Sequence, residues 1–154
     1  MGNCKRRLAQ MGDYEQVESI MHQVQDLHIE WRPDIYKACD VVLAYEEFLS
    51  AVGAENLLVA ELDDKVVGIL LFTYRHVGSD KQVSRDVLFI DAMAVDEAYR
   101  GNGIGHQLFD AVKRIAEEKQ LDGIELQVNA RNARAKEMYE SYGFTEKSIN
   151  MELL

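Results

Sequence analysis

The spacing of hydrophobic positions changes several times along this chain, and the changes predict alternating strands and helices. Near the middle, residues 87–95 read VLFIDAMAV, an apolar run interrupted only by Asp91. Such a run predicts a strand that is covered on both faces. Farther on, apolar residues from Ile104 to Ala116 recur every three or four positions, with charged residues between them. That spacing predicts an amphipathic helix over residues 103–119.

The chain before this central strand shows the same two kinds of pattern. Asp13 is a good helix N-cap ahead of helically spaced apolar residues, and Pro33 lies beyond the end of that helix. Two β-branched apolar runs joined by Asp63-Asp64 predict a hairpin. The predicted elements are an edge strand (5–9), two helices (13–30 and 45–53), two hairpin strands (57–62 and 65–74) and a polar loop (78–85).

The chain after the central helix predicts a strand over 123–128, a short helix ending at Gly143 and a last strand over 144–154. The strand, helix and strand between residues 87 and 128 should form one right-handed crossover with parallel strands. The preceding hairpin makes the rest of the sheet mostly antiparallel. We therefore expect an α/β (α+β) fold, a mixed sheet with helices on both faces, in one domain spanning 1–154.

The acidic composition of the chain limits the classes of molecule that it is expected to bind. The formal net charge is −10, which disfavours nucleic acid and anionic membranes as partners. No apolar run approaches transmembrane length. A cationic amine would be attracted to such a surface, although an acidic composition also simply favours solubility.

The two cysteines, Cys4 and Cys39, are too few for a disulfide framework or a metal site. The histidines His22, His76 and His106 show no metal-ligand spacing with one another. The N-terminal residues lack the apolar core of a signal peptide. We therefore expect a cytoplasmic protein that uses no metal.

The most specific motif is Arg100-Gly101-Asn102-Gly103-Ile104-Gly105, which joins the central strand to the central helix. Glycines at alternate positions leave backbone N–H groups uncovered, and a helix N-terminus attracts anions. With Arg100 beside them, these groups predict a phosphate site. Glycines alone could equally serve close packing of strand against helix.

Two other phosphate-binding motifs fit poorly. A Rossmann fingerprint opens the first βαβ unit of its domain, whereas Gly101-x-Gly103-x-Gly105 lies past mid-chain. A P-loop requires Gly-Lys-Ser/Thr, and here His106 and Gln107 follow the last glycine.

The motif resembles the Arg/Gln-x-x-Gly-x-Gly/Ala signature of the GNAT superfamily of acetyl-CoA-dependent N-acetyltransferases. Residues 129–144, NARNARAKEMYESYGF, resemble the second signature of that family, and the predicted order of elements is similar over essentially the whole chain. The resemblance implies a GNAT-like fold and transfer of an acetyl group from acetyl-CoA to a primary amine. The negative net charge favours a small cationic acceptor. The resemblance also implies a possible homodimer.

The resemblance also implies where the coenzyme binds. The turn and the start of the helix would hold the CoA pyrophosphate, and backbone groups at the end of the central strand would bind pantetheine beside a β-bulge. His106 could face a phosphate, although a histidine on the helix surface is the simpler interpretation. The implied residues are Met93, Ala94, Val95, Arg100, Gly101, Asn102, Gly103, Ile104, Gly105, His106 and Asn132.

Tyr139 resembles the general acid of the family, which donates its proton to the departing CoA thiolate. A purely structural role is the alternative, because Ala135, Met138, Tyr139 and Tyr142 share one helical face.

The acceptor amine must lose a proton before it can attack a thioester. Asp91 is the candidate base, because it lies in the central strand near the expected bulge. The alternatives are that Asp91 faces solvent or binds a neighbouring backbone group, and that water removes the proton.

The resemblance also implies that the acceptor binds near residues 28–36, where His28, Trp31, Arg32, Asp34 and Tyr36 mix aromatic and charged groups. The aromatic residues could equally cap the core. Because fold does not determine function, a non-catalytic module that binds acyl-CoA is the alternative to an enzyme.

Overall fold

A mixed sheet of five strands forms the centre of the computed structural model, which describes residues 4–154. Along the chain the elements are β1 (Lys5–Leu8), α1 (Tyr14–Trp31), α2 (Tyr45–Gly53), β2 (Leu57–Leu62), β3 (Lys65–Ser79), β4 (Gln82–Val95), α3 (Ile104–Glu118), β5 (Gly123–Leu126) and α4 (Ala133–Tyr142), with single 3₁₀ turns at Met11–Asp13 and Glu97–Tyr99.

The strands lie in the sheet in chain order, β1 to β5. The first four pair antiparallel with their neighbours, and β4 and β5 pair parallel through the crossover made by α3. The predicted mixed sheet with one parallel βαβ unit is confirmed.

Each face of the sheet carries its own hydrophobic core, which confirms helices on both faces. We call them the α3-side core and the α1-side core. Fully buried members of the α3-side core are Leu70, Phe72, Leu88, Leu108, Phe109 and Val112, and those of the α1-side core are Val17, Ile20, Phe48, Leu57, Val59 and Ile69.

The β3–β4 hairpin is longer than the pattern predicts. The predicted loop 78–85 is wrong, because β3 continues to Ser79, β4 starts at Gln82, and the turn is Asp80-Lys81. This outer part is a two-stranded ribbon exposed to solvent, where polar side chains such as His76 and Asp86 pair across the strands. Backbone hydrogen bonds and cross-strand side-chain pairs hold the ribbon together. Because the ribbon is exposed, its sequence lacks the alternating apolar residues by which a half-buried strand is recognised.

The predicted last strand over 144–154 is wrong for the single chain. The segment forms no strand, and β5 also ends at Leu126 instead of Val128. Alternating apolar side chains are present as expected, but Ile149 and Met151 are 73% and 88% exposed. The sequence pattern of a strand is present, but within residues 4–154 no strand pairs with this segment.

A buried ion pair ties β1 to the start of α1. Asp13 is 6% exposed, and it accepts hydrogen bonds from Arg7 at 2.7 and 3.0 Å and from the Gln10 N–H at 2.7 Å. Burial by itself would raise the pKa of Asp13, but the hydrogen bonds from Arg7 and Gln10 and the charge of Arg7 lower it. The folded state therefore prefers the ionised carboxylate.

We expect Asp13→Ala to lower the free energy of unfolding by about 2–3 kcal/mol at neutral pH, because Arg7 loses its main partner in a buried site. Urea unfolding measures the change, and Asp80→Ala in the exposed β3–β4 turn is the control, with an expected effect within about 0.5 kcal/mol. A lowered folded pKa stabilises the fold above the unfolded value of about 4, and this stabilisation is lost as pH falls through the folded pKa. The difference between wild type and variant should therefore shrink in acid, and a constant difference would contradict this role.

Candidate functional site

The parallel ladder between β4 and β5 is short, and this creates an opening in the sheet. The two strands pair only from Val87 opposite Gly123 to Ile90 opposite Leu126. Beyond Ile90, β4 continues to Val95 while β5 has ended, so this stretch of β4 pairs with β3 alone. Its other edge therefore offers backbone N–H and C=O groups to an extended ligand, as any open strand edge does.

A β-bulge lies at the base of this opening. Opposite β4, Phe72 pairs with Ile90 and the adjacent Leu71 pairs with Ala92, which leaves Asp91 as the extra residue. A bulge re-aims the side chains that follow it. The predicted bulge in this strand is therefore present, and its extra residue is the one carboxylate of the apolar run.

Asp91 lies on the α1 side of the sheet. Its neighbour Ile90 belongs to the α3-side core, so Asp91 projects to the opposite face. There Arg75 lies 3.5 Å from the ring centre of Phe89 and 3.9 Å from the Asp91 carboxylate. The Asp91 side chain is 31% exposed, so it is accessible without being fully solvated.

The glycine turn ends at an uncapped helix. Gly101 and Gly103 have φ values of +84° and +77°, in the left-handed region that favours glycine. Gly103 is the N-cap of α3, no side chain caps its first N–H groups, and the first turn contains no acidic residue. Free N–H groups and the positive end of the helix dipole make this a favourable place for an anion.

Gly105 has a different role from the other two glycines. A Cβ at this position would lie 2.7 Å from Met138 Sδ and 2.9 Å from Met93 Cε. Gly105 therefore lets α3 approach both β4 and α4 closely, which is the packing role that the sequence left open. The contact also places Met93, the turn and α4 around one opening.

Arg100 and Asn102 shape the turn from within. Arg100 donates from Nε to the Val95 carbonyl at 3.1 Å, and Asn102 donates from Nδ2 to the Tyr99 carbonyl at 2.9 Å. Within the part of the chain that the structure describes, Arg100 forms no ion pair. Its charge is thus available beside the start of α3.

His106 and Asn132 both have structural partners. His106, in the first turn of α3, forms a hydrogen bond of 3.2 Å between Nε2 and the Ser141 hydroxyl of α4. Asn132 is the N-cap of α4 and accepts a hydrogen bond from the Ala135 N–H at 3.1 Å. Both lie at helix starts that border the opening, and their predicted contacts with the coenzyme remain predictions.

Tyr139 lies on the α3 side of the sheet, where its ring packs against Phe109 and Phe144. Burial raises the pKa of its phenol, so the proton is retained at neutral pH. Its neighbour Tyr142 differs, because that hydroxyl donates to Asp110 at 2.6 Å. Among the described residues, the Tyr139 hydroxyl has no hydrogen-bond partner. The same residues contain no fully buried side-chain N or O atom without a partner, so this hydroxyl keeps access to solvent.

Asp91 therefore lies on the α1 side of the sheet and Tyr139 on the α3 side. The two groups can thus act from opposite faces on a group held at the edge of β4. This arrangement suits transfer of a group from a leaving atom to an attacking one.

The end of α1 forms an aromatic cluster at the rim. The His28 ring lies 4.7 Å from the Tyr36 ring and 5.9 Å from the Trp31 ring, and burial lowers the pKa of His28. Arg131, in the loop after β5, donates to the Trp31 carbonyl at 2.6 Å. This contact joins the cluster to the C-terminal end of β5. No local pattern in the sequence points to Arg131, because its partner is 100 residues away.

Ion pairs fix the charged residues of the same region. Arg32 forms bidentate pairs with Asp34, at 2.9 and 2.7 Å, and with Glu152, at 2.6 and 2.8 Å. The hydrogen bonds from Arg32 lower the pKa of Asp34 to about 2. The residues predicted to bind the acceptor are thus brought together, and their two charged members neutralise each other.

Residues 21–144, which include this opening, the start of α3 and Tyr139, match the family model described as the acetyltransferase (GNAT) family. The chain belongs to this family. One curated relative is an uncharacterised N-acetyltransferase of Methanocaldococcus jannaschii, 29% identical over 105 residues, covering 68% of this chain and 46% of the relative. Another is a streptothricin acetyltransferase of Escherichia coli, 33% identical over 66 residues, covering 43% of this chain and 38% of the relative. This GNAT chain thus matches less than half the length of these curated relatives.

Solved structures match nearly the whole GNAT chain. A point mutant of protein BH1408 from Bacillus halodurans has a TM-score of 0.94 at 31% identity, covering 97% of this chain and 98% of that one. The aminoglycoside N-acetyltransferase AAC(6')-Iy, solved in complex with CoA, has a TM-score of 0.72 at 18% identity, covering 97% and 98%. These matches confirm the predicted GNAT fold.

Across residues 4–154, none of the helices combines the length and the hydrophobicity needed to cross a membrane. Within the same range, no three His, Cys, Asp or Glu side chains are grouped so that they could hold a metal ion.

Proposed function

We propose that this GNAT protein transfers the acetyl group of acetyl-CoA to a primary amine of a small, cationic acceptor. The observation that carries the proposal is the opening between β4 and β5, because it has the bulged Asp91 at its base and Met93 of its open edge beside the uncapped start of α3. The CoA bound by AAC(6')-Iy, a chain of the same fold, supports the choice of coenzyme.

The residues around the turn fit a diphosphate. Gly101 and Gly103 leave their N–H groups uncovered, Arg100 is free of ion pairs among the described residues, and the first turn of α3 has no carboxylate to repel an anion. The backbone of Met93, Ala94 and Val95 offers the open edge of β4 to a pantetheine arm. A backbone N–H in this stretch is suited to polarise a carbonyl oxygen.

The coenzyme supplies the acetyl group and leaves as a thiol. Tyr139 holds a proton at its phenol oxygen and donates it to the sulfur as the carbon–sulfur bond breaks, so the coenzyme leaves as a thiol. Burial keeps this proton in place until then, and the phenolate regains a proton from solvent after the thiol has left. Asp91 accepts the proton that the acceptor nitrogen must lose. Water can replace Asp91 in this step, since the carboxylate is open to solvent.

We expect Asp91→Asn to lower kcat/KM for the acceptor by about tenfold to a hundredfold at neutral pH, the range expected for loss of a general base. Steady-state rates at pH 6 to 9 measure it, and the deficit should shrink as rising pH deprotonates the free amine. Asp86→Asn, in the exposed ribbon of β4, is the matched control and should keep the wild-type rate. Equal rates for wild type and Asp91→Asn would assign the proton transfer to water.

The choice of a small cationic amine has two supports. The net charge of −10 attracts cations, and related proteins include streptothricin and aminoglycoside acetyltransferases. The aromatic faces of His28, Trp31 and Tyr36 offer a surface on which an ammonium group can rest.

The test of the proposal is thiol release from acetyl-CoA in the presence of aminoglycosides, polyamines, amino acids and a peptide with a free N-terminus. We expect thiol release with at least one cationic amine and an equal amount of acetylated product by mass spectrometry. If CoA binds by calorimetry but no amine yields thiol, the chain is a coenzyme-binding module and the enzymatic proposal fails.

A further inference from the structure

Arg75 of β3 faces the same side of the sheet as Asp91. Phe72 belongs to the α3-side core, so Arg75, three residues farther along the strand, projects to the α1 side. Asp91 lies on this side and is the carboxylate proposed to take a proton from the acceptor. Arg75 therefore adds a positive charge to the part of the site that the acceptor occupies.

The ring of Phe89 holds the guanidinium of Arg75 in place. Arg75 pairs with Val87 across the β3–β4 ladder, which makes Phe89 its diagonal neighbour, and the centre of the guanidinium lies 3.5 Å from the centre of the ring. Nη2 of Arg75 is 3.9 Å from Oδ1 of Asp91, which is too far for a direct hydrogen bond. The two charges are thus close to each other without being bonded.

The N–H groups of Arg75 remain available to a ligand. Within residues 4–154, the guanidinium donates no hydrogen bond, and the side chain is 52% exposed. Arg85 on the same face of the sheet differs, because it donates to Glu125 at 3.3 Å, and that carboxylate also pairs with Lys147 at 2.8 Å. A planar guanidinium with free N–H groups can bind a carboxylate through two parallel hydrogen bonds.

Asp91 and Arg75 together offer one negative and one positive charge beside the opening. An α-amino acid has the complementary pair, an ammonium and a carboxylate attached to the same carbon. Its ammonium can donate to Asp91 while its carboxylate accepts hydrogen bonds from Arg75. A simple diamine would instead bring a second ammonium toward Arg75, and like charges repel.

We propose that Arg75 binds the carboxylate of the acceptor, and that the acceptor is a free α-amino acid with a basic side chain. This inference rests on the proposed function and names the class of cationic amine that its site takes. Two ammonium groups and one carboxylate leave the acceptor with a net positive charge, which the net charge of −10 on the chain attracts.

Binding of the carboxylate also orients the reacting nitrogen. Asp91 accepts a proton from the α-ammonium, and the freed lone pair attacks the carbonyl carbon of the thioester. A bond forms between nitrogen and that carbon, the carbon–sulfur bond breaks, and the sulfur leaves with the proton of Tyr139. The nitrogen passes its second proton to water, so the products are the Nα-acetyl amino acid and the CoA thiol.

The experiment compares L-lysine with 1,5-diaminopentane, the same molecule without the carboxylate, as acceptors for wild type, Arg75→Gln and Arg85→Gln. Since the two amines differ in basicity, the quantity that decides is the change, between proteins, in the ratio of their kcat/KM values. We expect Arg75→Gln to lower the ratio of lysine to diaminopentane by about tenfold to a hundredfold, mainly by raising KM for lysine, because a charge-assisted pair is lost. Arg85→Gln is the matched control and should keep the wild-type ratio, since Arg85 pairs with Glu125.

Tandem mass spectrometry should place the acetyl group on the α-nitrogen of lysine. Acetylation of the side-chain nitrogen, an unchanged ratio in Arg75→Gln, or an equal loss with both acceptors would overturn the role of Arg75. If neither acceptor yields thiol while another amine does, this inference fails and the proposed acetyl transfer stands. If no amine yields thiol although CoA binds, the proposed function fails and this inference fails with it.

Discussion

Replacing Tyr139 with phenylalanine should lower turnover by about a hundredfold while leaving the affinity for acetyl-CoA unchanged. The ring packs against Phe109 and Phe144, and phenylalanine keeps that packing. What is lost is the proton that the raised phenol pKa keeps in place at neutral pH. General acid catalysis is typically worth about 10²–10⁴ in rate. Thiol-release rates and calorimetric binding of CoA separate the two effects.

Tyr142→Phe is the matched control, one helical turn from Tyr139 on α4. Its hydroxyl is bonded to Asp110 and its ring packs against the same Phe109, so the variant removes an equivalent group with no proposed role in proton transfer. We expect it to keep the wild-type turnover within about twofold to threefold. If Tyr139→Phe matches wild type, or if Tyr142→Phe falls equally, the role of Tyr139 as acid is rejected.

The second large effect is expected for Gly103→Val, which should weaken CoA binding by about a hundredfold, equivalent to about 2.7 kcal/mol. The left-handed φ of +77° disfavours any side chain, and a β-branched one most of all. To relieve the strain, the start of α3 must move, and its N–H groups lose their alignment on the phosphates. Two charge-assisted hydrogen bonds of about 1.5 kcal/mol each account for the loss.

Calorimetric titration with CoA measures this change, at a temperature where circular dichroism shows the variant folded. Gly53→Val is the control, because Gly53 ends α2, has no left-handed φ, and would carry a Cβ with no other atom within 4 Å. Binding by Gly53→Val should equal that of wild type. Tight binding by Gly103→Val would mean that the phosphates lie elsewhere, and the proposed coenzyme site would be wrong.

The features that the sequence predicted well are those that depend on neighbouring residues. The start of α3 is an example, since three glycines and the helical spacing that follows lie within one short stretch. Asp91 could be singled out for the same reason, as the one carboxylate in an apolar run. Its direction could not be predicted, because the bulge that places it on the α1 side depends on the register between Phe72 and Ile90.

The two wrong elements have a common physical cause. Residues 78–79 and 82–85 belong to strands because two exposed segments bond to each other, and residues 144–154 form no strand because no segment of the described chain pairs with them. Hydrophobic periodicity records which side chains are buried in one core. It does not record whether a backbone edge has a partner, which depends on segments far away in the sequence or on another molecule.

The amino-acid sequence by itself determined the order of helices and strands from β1 to α4, the parallel crossover around α3 and the glycine turn, because local spacing and backbone preference act over a few residues. The tertiary structure decided that the ladder of β4 and β5 stops after Ile90 and that Gly105 leaves room for the side chains of Met93 and Met138. It also decided that Tyr139 and Asp91 lie on opposite sides of the sheet. Each of these depends on the register and close approach of segments that are distant in the chain, where long-range packing decides between arrangements that the local pattern allows equally.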